Sequence, residues 1–318
     1  MISPRENILL VKSGGESAVL DWRRIFADLC PDLDVRWWDD PDVNPVDVAF
    51  VLVWQPQPGR LAQLPNLRLI FSSGAGVDHI TSDPLLPPRI PIVRMASDET
   101  LQTMGEYVCW AVLALQRDLK RALNAQAERR WDEFQGSRTA MQTRVGIMGL
   151  GNIGQTAAHM LHGLGYRLAG WSLNAKSLEH VTCLAGIEQL DAFLQETDIL
   201  VGLLPETLLT RGLLSASRLR LLPKGAGVVN AGRGSLIVMP DLIAALDCGH
   251  LSGAVLDVFE NEPLTPTDPV WQHPRIIVTG HIAGFASRRA RAEHVARTIA
   301  AYQRGESLPS LYQPKRGY

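Results

Sequence analysis

The stretch VGIMGLGNIGQTAAHMLHGLG, residues 145–165, constrains the fold more than any other part of the chain. Gly149-x-Gly151-x-x-Gly154 follows a short apolar run, Val145 to Met148, and opens an amphipathic pattern from Gln155 to Leu164. A bare GxGxxG says little, but this one stands between a strand pattern and a helix pattern, the context in which it binds a dinucleotide. Gly149 permits the tight turn, Gly151 lets backbone approach a pyrophosphate, and Gly154 lets the helix pack close to the strand. The helix start at Asn152 and Ile153 then offers unpaired N–H groups and the positive end of a dipole to phosphate. The alternative is a turn of glycines that serves packing alone.

Short apolar runs alternate with helical patterns on both sides of this turn. Ile8 to Val11, Val48 to Trp54 and Leu67 to Ser73 read as buried parallel strands, and Pro-rich loops such as QPQPG separate elements. The alternation returns in RVGIMGL, YRLAGWS, TDILVGLLP, GAGVVNAG, GAVLDVF and RIIVTG. Two α/β units in series fit this pattern: Rossmann-like or flavodoxin-like domains with parallel sheets and an active-site cleft between them. Between the units, Met104, Val108, Ala111, Leu115 and Leu119 recur at helical spacing behind Asp98 as N-cap, which predicts one or two long helices. A last helix over 287–304 carries the chain back. The expected division is 1–97 with 288–318 as a discontinuous substrate-binding domain, and 98–287 as the dinucleotide-binding domain.

The segment GWSLNAKS, residues 170–177, says which dinucleotide. It lies about 20 residues past the glycine turn, where an acidic residue commonly receives the ribose hydroxyls. Ser172 stands at the predicted strand end instead, with Asn174 and Lys176 after it. An Asp there would repel a 2′-phosphate; Ser172 does not, and Lys176 and Asn174 supply a charge and a donor. The segment predicts that the site accepts NADPH and favours it over NADH, modestly, because no arginine fork is present. The bland alternative is that Lys176 is a solvated loop lysine.

Bulk properties exclude several classes. A formal net charge of −2 gives no footprint for nucleic acid or a membrane surface. Cys30, Cys109, Cys183 and Cys248 are scattered with no CxxC pair, which suits free thiols in a reducing cytoplasm. No segment approaches a membrane span, and the N-terminal apolar run is too short for a signal peptide. The histidines form no cluster with metal-ligand spacing, so no metal is expected. His79 reads as a stabiliser of its loop; His250, His273 and His294 read as turn or surface residues; His159 and His162 fall on the helix after the glycine turn. Trp22, Trp37, Trp38, Trp110 and Trp271 read as packing residues.

Three polar residues follow successive predicted strands: Arg233 in NAGRGS, Glu262 in DVFENEP and His281 in TGHIAG. In open α/β sheets, ligands bind beyond the carboxyl ends of strands. Each residue has a bland reading, as a surface charge, a loop carboxylate or a helix-start histidine. Together, beside a dinucleotide turn, they form a coherent set for hydride transfer to a ketone. His281 can donate the proton, Glu262 can hold the imidazole and favour its protonated form, and Arg233 offers a fixed fork to carboxylate and carbonyl oxygens.

With these residues in place the sequence resembles the D-2-hydroxyacid dehydrogenase family, and within it the glyoxylate/hydroxypyruvate reductase branch. The resemblance runs through VLVWQPQP, SSGAGVDHI, GLGNIG, WSLNAKS, NAGRGSLIV, ALDCGHLSGAVLDVFENEPL, PVWQHPRIIVTGHIAG and the terminal KRGY. It implies that Arg233 binds substrate, that Glu262 pairs with the catalytic His281, and that Asp257 meets the nicotinamide carboxamide. It implies that backbone amides of Gly74, Ala75 and Gly76 hold the substrate carboxylate. Trp54, Arg316 and Tyr318 are implied as pocket residues, and a cytoplasmic homodimer as the assembly. The implied activity is NAD(P)H-dependent reduction of small 2-oxo acids to D-2-hydroxy acids. Two alternatives stand beside it: a related dehydrogenase for a bulkier 2-oxo acid, and an NAD(H)-sensing, corepressor-like binding protein. Two departures from the family pattern stand out. Gly280 occupies the place of a proline, which predicts a looser His281 backbone, and Leu173 and Ala175 stand where arginines would hold a cofactor phosphate.

Overall fold

The computed structural model describes residues 7–134, 138–314 and 317. The chain divides into two compact units, Met1–Thr100 with Ala286–Tyr318, and Leu101–Phe285.

The first unit is built on β1 (Ile8–Lys12), β2 (Asp34–Trp37), β3 (Val48–Val53), β4 (Leu69–Ser72) and β5 (Ile92–Val93). Their order across the sheet is β2-β1-β3-β4-β5, and every pairing is parallel. All six residues of β3, VAFVLV, are buried, because a central parallel strand is covered on both faces. One face is closed by Trp22 and Phe26 of the helix Val19–Leu29 and by Val295 and Ile299 of the helix Arg288–Gln303, over Leu9, Phe50 and Phe71. Trp38, Leu61 and Ile80 close the other, over Leu10, Val51 and Ile70.

The second unit carries β6 (Arg144–Met148), β7 (Arg167–Ser172), β8 (Val181–Ala185), β9 (Ile199–Gly202), β10 (Ala226–Asn230), β11 (Leu251–Leu256) and β12 (Ile276–Val278). The order is β12-β11-β10-β9-β6-β7-β8, all parallel. This is doubly wound: the order reverses between β6 and β9, and ligands bind at such a reversal beyond the strand ends. The first sheet reverses likewise, between β1 and β3. No helix among the described residues is long and apolar enough to cross a membrane.

Several local features differ from the sequence reading. The helix over 98–116 is capped by Ser97, whose Oγ accepts from the Thr100 N–H at 3.1 Å; Asp98 is already its first residue. It ends near Asp118, which takes φ 49°, and a second helix runs Leu119–Ala127. The edge strands β2, β5 and β8 carry no strong apolar alternation. β2 includes Asp34 and Arg36, β5 has two residues, and the middle of β8 is solvent-facing. His294 is no surface residue: it is 5% exposed, and its Nε2 lies 3.1 Å from the Arg94 carbonyl oxygen. Trp110 and Trp271 are 39% and 44% exposed, so neither is a core residue.

Candidate active site

The glycine turn follows β6, at the point where the second sheet reverses. Gly149 takes φ +107°, open to few side chains, and a Cβ there would lie 3.0 Å from the Leu203 carbonyl oxygen. A Cβ on Gly154 would lie 1.9 Å from the Gly149 carbonyl oxygen, so only glycine lets the helix start this close to the turn. Gly151 differs: a Cβ would meet nothing within 4 Å. Packing does not explain that glycine, whereas a group brought against the turn from outside does. The helix Asn152–Gly163 starts at Gly151 with no side-chain cap. Its first N–H groups therefore face outward without a side-chain acceptor, as a pyrophosphate requires. The residues present fit a dinucleotide.

Ser172 ends β7, and its Oγ donates to the Asn174 carbonyl oxygen at 2.7 Å. The hydroxyl closes its own turn, so its proton is engaged within the chain. What the position offers a cofactor is a neutral surface with lone pairs. Asn174 and Lys176 are exposed.

The three residues behind β10, β11 and β12 belong to the same unit. Asn230, 1% exposed, holds the NAGRG turn: its Nδ2 donates to the Arg233 carbonyl at 2.9 Å and its Oδ1 accepts from the Gly232 N–H at 3.3 Å. Arg233 Nη1 donates to the Gly232 carbonyl at 2.8 Å, which ties one prong of the guanidinium to its own turn and fixes the plane of the fork. A Cβ on Gly234 would lie 1.9 Å from the Phe259 carbonyl carbon. The Arg233 turn thus rests directly on the loop that carries Glu262.

Glu262 divides its carboxylate. Oε1 accepts from the Phe259 N–H at 2.8 Å, and Oε2 lies 2.7 Å from His281 Nδ1. Burial raises the Glu262 carboxyl, but bonds from His281 and Phe259 and the charges of His281 and Arg233 outweigh it and hold the group below its ordinary value. The glutamate therefore stays ionised across neutral pH, and its bond to Nδ1 sets the imidazole's orientation.

His281 sits at φ 56°, a left-handed conformation that costs a non-glycine residue about 1–3 kcal/mol and persists only when its surroundings hold it. Asp257 does the holding. The His281 N–H donates to the Asp257 carbonyl at 2.8 Å, the Ile282 N–H to Oδ1 and the Ala283 N–H to Oδ2, both at 2.9 Å, and Thr279 Oγ1 lies 2.6 Å from Oδ1. The loosening expected from Gly280 is thus countered by anchors on both sides of it. Asp257 itself is 1% exposed and largely committed to this loop. That duty was not visible in the sequence.

In the first unit, the turn Gly74–Gly76 follows β4. Ser72, fully buried, donates from Oγ to the Gly76 carbonyl at 2.7 Å and accepts from the Gly74 N–H at 3.2 Å. The Gly74 amide is therefore already engaged, and the amides of Ala75 and Gly76 are the ones this turn can turn toward an anion. Trp54 lies against Gly74, its ring 2.8 Å from where a Cβ would stand, and packs at a 39° tilt on His79 with centroids 4.1 Å apart. His79 Nε2 is 3.4 Å from Ser72 Oγ, so the histidine braces the turn. Arg316 and Tyr318 lie outside the described residues.

The chain as a whole is similar to proteins of known name. Residues 109–283 match the family model described as D-isomer specific 2-hydroxyacid dehydrogenase, NAD binding domain. A protein of Salmonella paratyphi B named glyoxylate/hydroxypyruvate reductase A is 39% identical over 304 residues, 93% of this chain and 96% of that one. A D-isomer specific 2-hydroxyacid dehydrogenase of Xanthobacter autotrophicus, solved with NADPH and MES, superposes with a TM-score of 0.92 at 38% identity, covering 98% of this chain and all of that one. An NADPH-dependent glyoxylate/hydroxypyruvate reductase of Sinorhizobium meliloti, solved with NADP and sulfate, gives 0.90 at 33% identity, with 98% of this chain and all of that one covered. The strand-end histidine and glutamate, the glycine turn and these similarities converge: the chain belongs to the D-isomer specific 2-hydroxyacid dehydrogenase family.

Proposed function

We propose that this protein reduces small 2-oxo acids, glyoxylate and hydroxypyruvate first among them, to the D-2-hydroxy acids, with NADPH preferred over NADH. The observation that carries the reading is the His281 Nδ1 to Glu262 Oε2 bond of 2.7 Å in the unit that bears the dinucleotide turn. Relatives named as glyoxylate/hydroxypyruvate reductases, and solved relatives holding NADPH or NADP, support the substrate and the cofactor. The second unit serves as the dinucleotide-binding domain and the first as the substrate-binding domain.

Gly149, Gly151, Asn152, Ile153 and Gly154 hold the pyrophosphate, Ser172, Asn174 and Lys176 the adenosine ribose and its phosphate, and Asp257 the carboxamide. When bound, the cofactor supplies a hydride to C2 of the acid. In the first unit the free backbone amides of Ala75 and Gly76, with Trp54 against their turn, offer donors to a carboxylate, and in the second the Arg233 fork offers donors to carboxylate and carbonyl oxygens. Arg233 also faces the carbonyl oxygen as negative charge develops there. His281 delivers its proton to that oxygen from Nε2, because Nδ1 is held by Glu262, whose ionised carboxylate stabilises the imidazolium before transfer. The neutral imidazole then regains a proton from solvent.

Chiral analysis of the product from hydroxypyruvate tests the reading. D-glycerate is expected; L-glycerate, or no product, contradicts it. The cofactor assignment has its own test. Ser172→Asp places a carboxylate against the 2′-phosphate and is expected to shift the ratio of kcat/KM for NADPH over NADH toward NADH by about tenfold or more. An unchanged ratio would mean that the ribose lies elsewhere.

The same reading makes the protein a cytoplasmic homodimer. Trp110 and Leu113, each 39% exposed, and Trp131, 89% exposed, give the second unit the apolar surface that a partner copy would cover. Its four free cysteines suit a reducing compartment.

A further inference from the structure

Tyr107 has no place in the mechanism above, yet it ends a hydrogen-bond chain that reaches the catalytic loop. Its hydroxyl lies 2.7 Å from Thr279 Oγ1, and Thr279 Oγ1 lies 2.6 Å from Asp257 Oδ1. The polarity follows from proton counting. Both Asp257 side-chain oxygens already accept from the Ile282 and Ala283 amides, and the single Thr279 hydroxyl proton goes to Oδ1. Tyr107 is then the donor to Thr279. Burial raises the phenol far above its usual range, which keeps it protonated and able to donate. Its neighbours place it at a junction: Tyr107 packs on the cluster of Met104, Ala231 and Ala283, which draws one residue from the NAGRG turn and one from the loop after His281.

We propose that Tyr107 is a positioning residue for proton transfer: through Thr279 it holds the Asp257 carboxylate in the orientation that fixes the 281–283 backbone and so aims the His281 imidazole. The inference rests on the reductase reading for its catalytic consequence, but not for the wiring itself. Without the Thr279 hydroxyl, Asp257 Oδ1 loses a donor inside a closed environment and the loop amides lose the fixed acceptor that holds them. A small misplacement of a catalytic group is enough to lower turnover while leaving substrate binding intact.

The test uses Thr279→Val, Thr279→Ser and Tyr107→Phe in the full chain, with two readouts. The first is deuterium exchange of the 279–284 segment without cofactor. The second is kcat and KM for hydroxypyruvate at saturating NADPH. Thr279→Val is expected to exchange faster and to lose about tenfold in kcat with KM within about twofold. Thr279→Ser, which keeps the hydroxyl, is expected to restore both. Tyr107→Phe is expected to move both in the same direction by about threefold. Wild-type exchange in Thr279→Val would overturn the proposal, as would faster exchange with unchanged kcat, equal losses in the serine and valine variants, or a rise in KM alone. A wild-type protein that turns over no 2-oxo acid, with Thr279→Val still exchanging faster, would refute the reductase reading and leave the wiring standing.

Discussion

Replacing His281 with asparagine is expected to lower kcat by about 10²- to 10⁴-fold, the range for loss of a general acid. The substitution isolates the proton. Asparagine tolerates the left-handed backbone at φ 56° better than most residues, and its amide can still donate toward Glu262, so the loop keeps its shape. What disappears is a group able to hold and release a proton near neutral pH. KM for the 2-oxo acid is expected to stay within about threefold, because the carboxylate is held elsewhere. Steady-state kinetics with hydroxypyruvate check this, and wild-type kcat in the variant would remove His281 from the mechanism.

Arg233 gives the second large effect. Arg233→Ala is expected to lower kcat/KM by about 10²- to 10³-fold, as for removal of a donor aimed at a developing oxyanion. Arg233→Lys is expected to fare almost as badly. The guanidinium plane is fixed by the 2.8 Å bond from Nη1 to the Gly232 carbonyl, and the NAGRG turn is itself locked by Asn230 and by the contact of Gly234 with Phe259. A lysine placed there keeps the charge but loses the planar fork that meets two oxygens at once. Near-wild-type kinetics in the lysine variant would show that charge alone suffices and that the fork geometry is irrelevant.

Much of this site was legible because its signals are local. The strand, the three glycines and the helix start lie within one short stretch, and the duties of Gly149 and Gly154 follow from backbone geometry. The polar residues at the ends of β10 and β12, and Glu262 in the loop after β11, could be read because strand ends are marked by the change from apolar to polar residues. The rest depends on contacts distant in sequence. Asp257 holds the His281 loop through bonds to residues 22 to 26 positions away, and nothing in LDVF announces it. Ser72 occupies the Gly74 amide, a contact within the turn that composition does not reveal. Ser172, legible only as a neutral residue in place of an acid, also closes its own turn on Asn174, since short hydroxyl side chains compete for nearby backbone carbonyls. The edge strands β2, β5 and β8 escaped notice because β5 is only two residues long and β2 and β8 carry polar residues open to solvent, which erases the apolar run that marks β3. His294 looked peripheral because a helix with charged neighbours hides which of its faces is inward; only the packing of Val295 and Ile299 beside it settles that.

Initial rates of NADPH and NADH oxidation by the purified protein, each with glyoxylate and with hydroxypyruvate, test the central claim most directly. The account predicts acid-dependent oxidation with at least one of the two acids, several-fold better kcat/KM with NADPH than with NADH, and loss of that rate in the His281→Asn variant. Oxidation that is absent with both acids and both cofactors would contradict it.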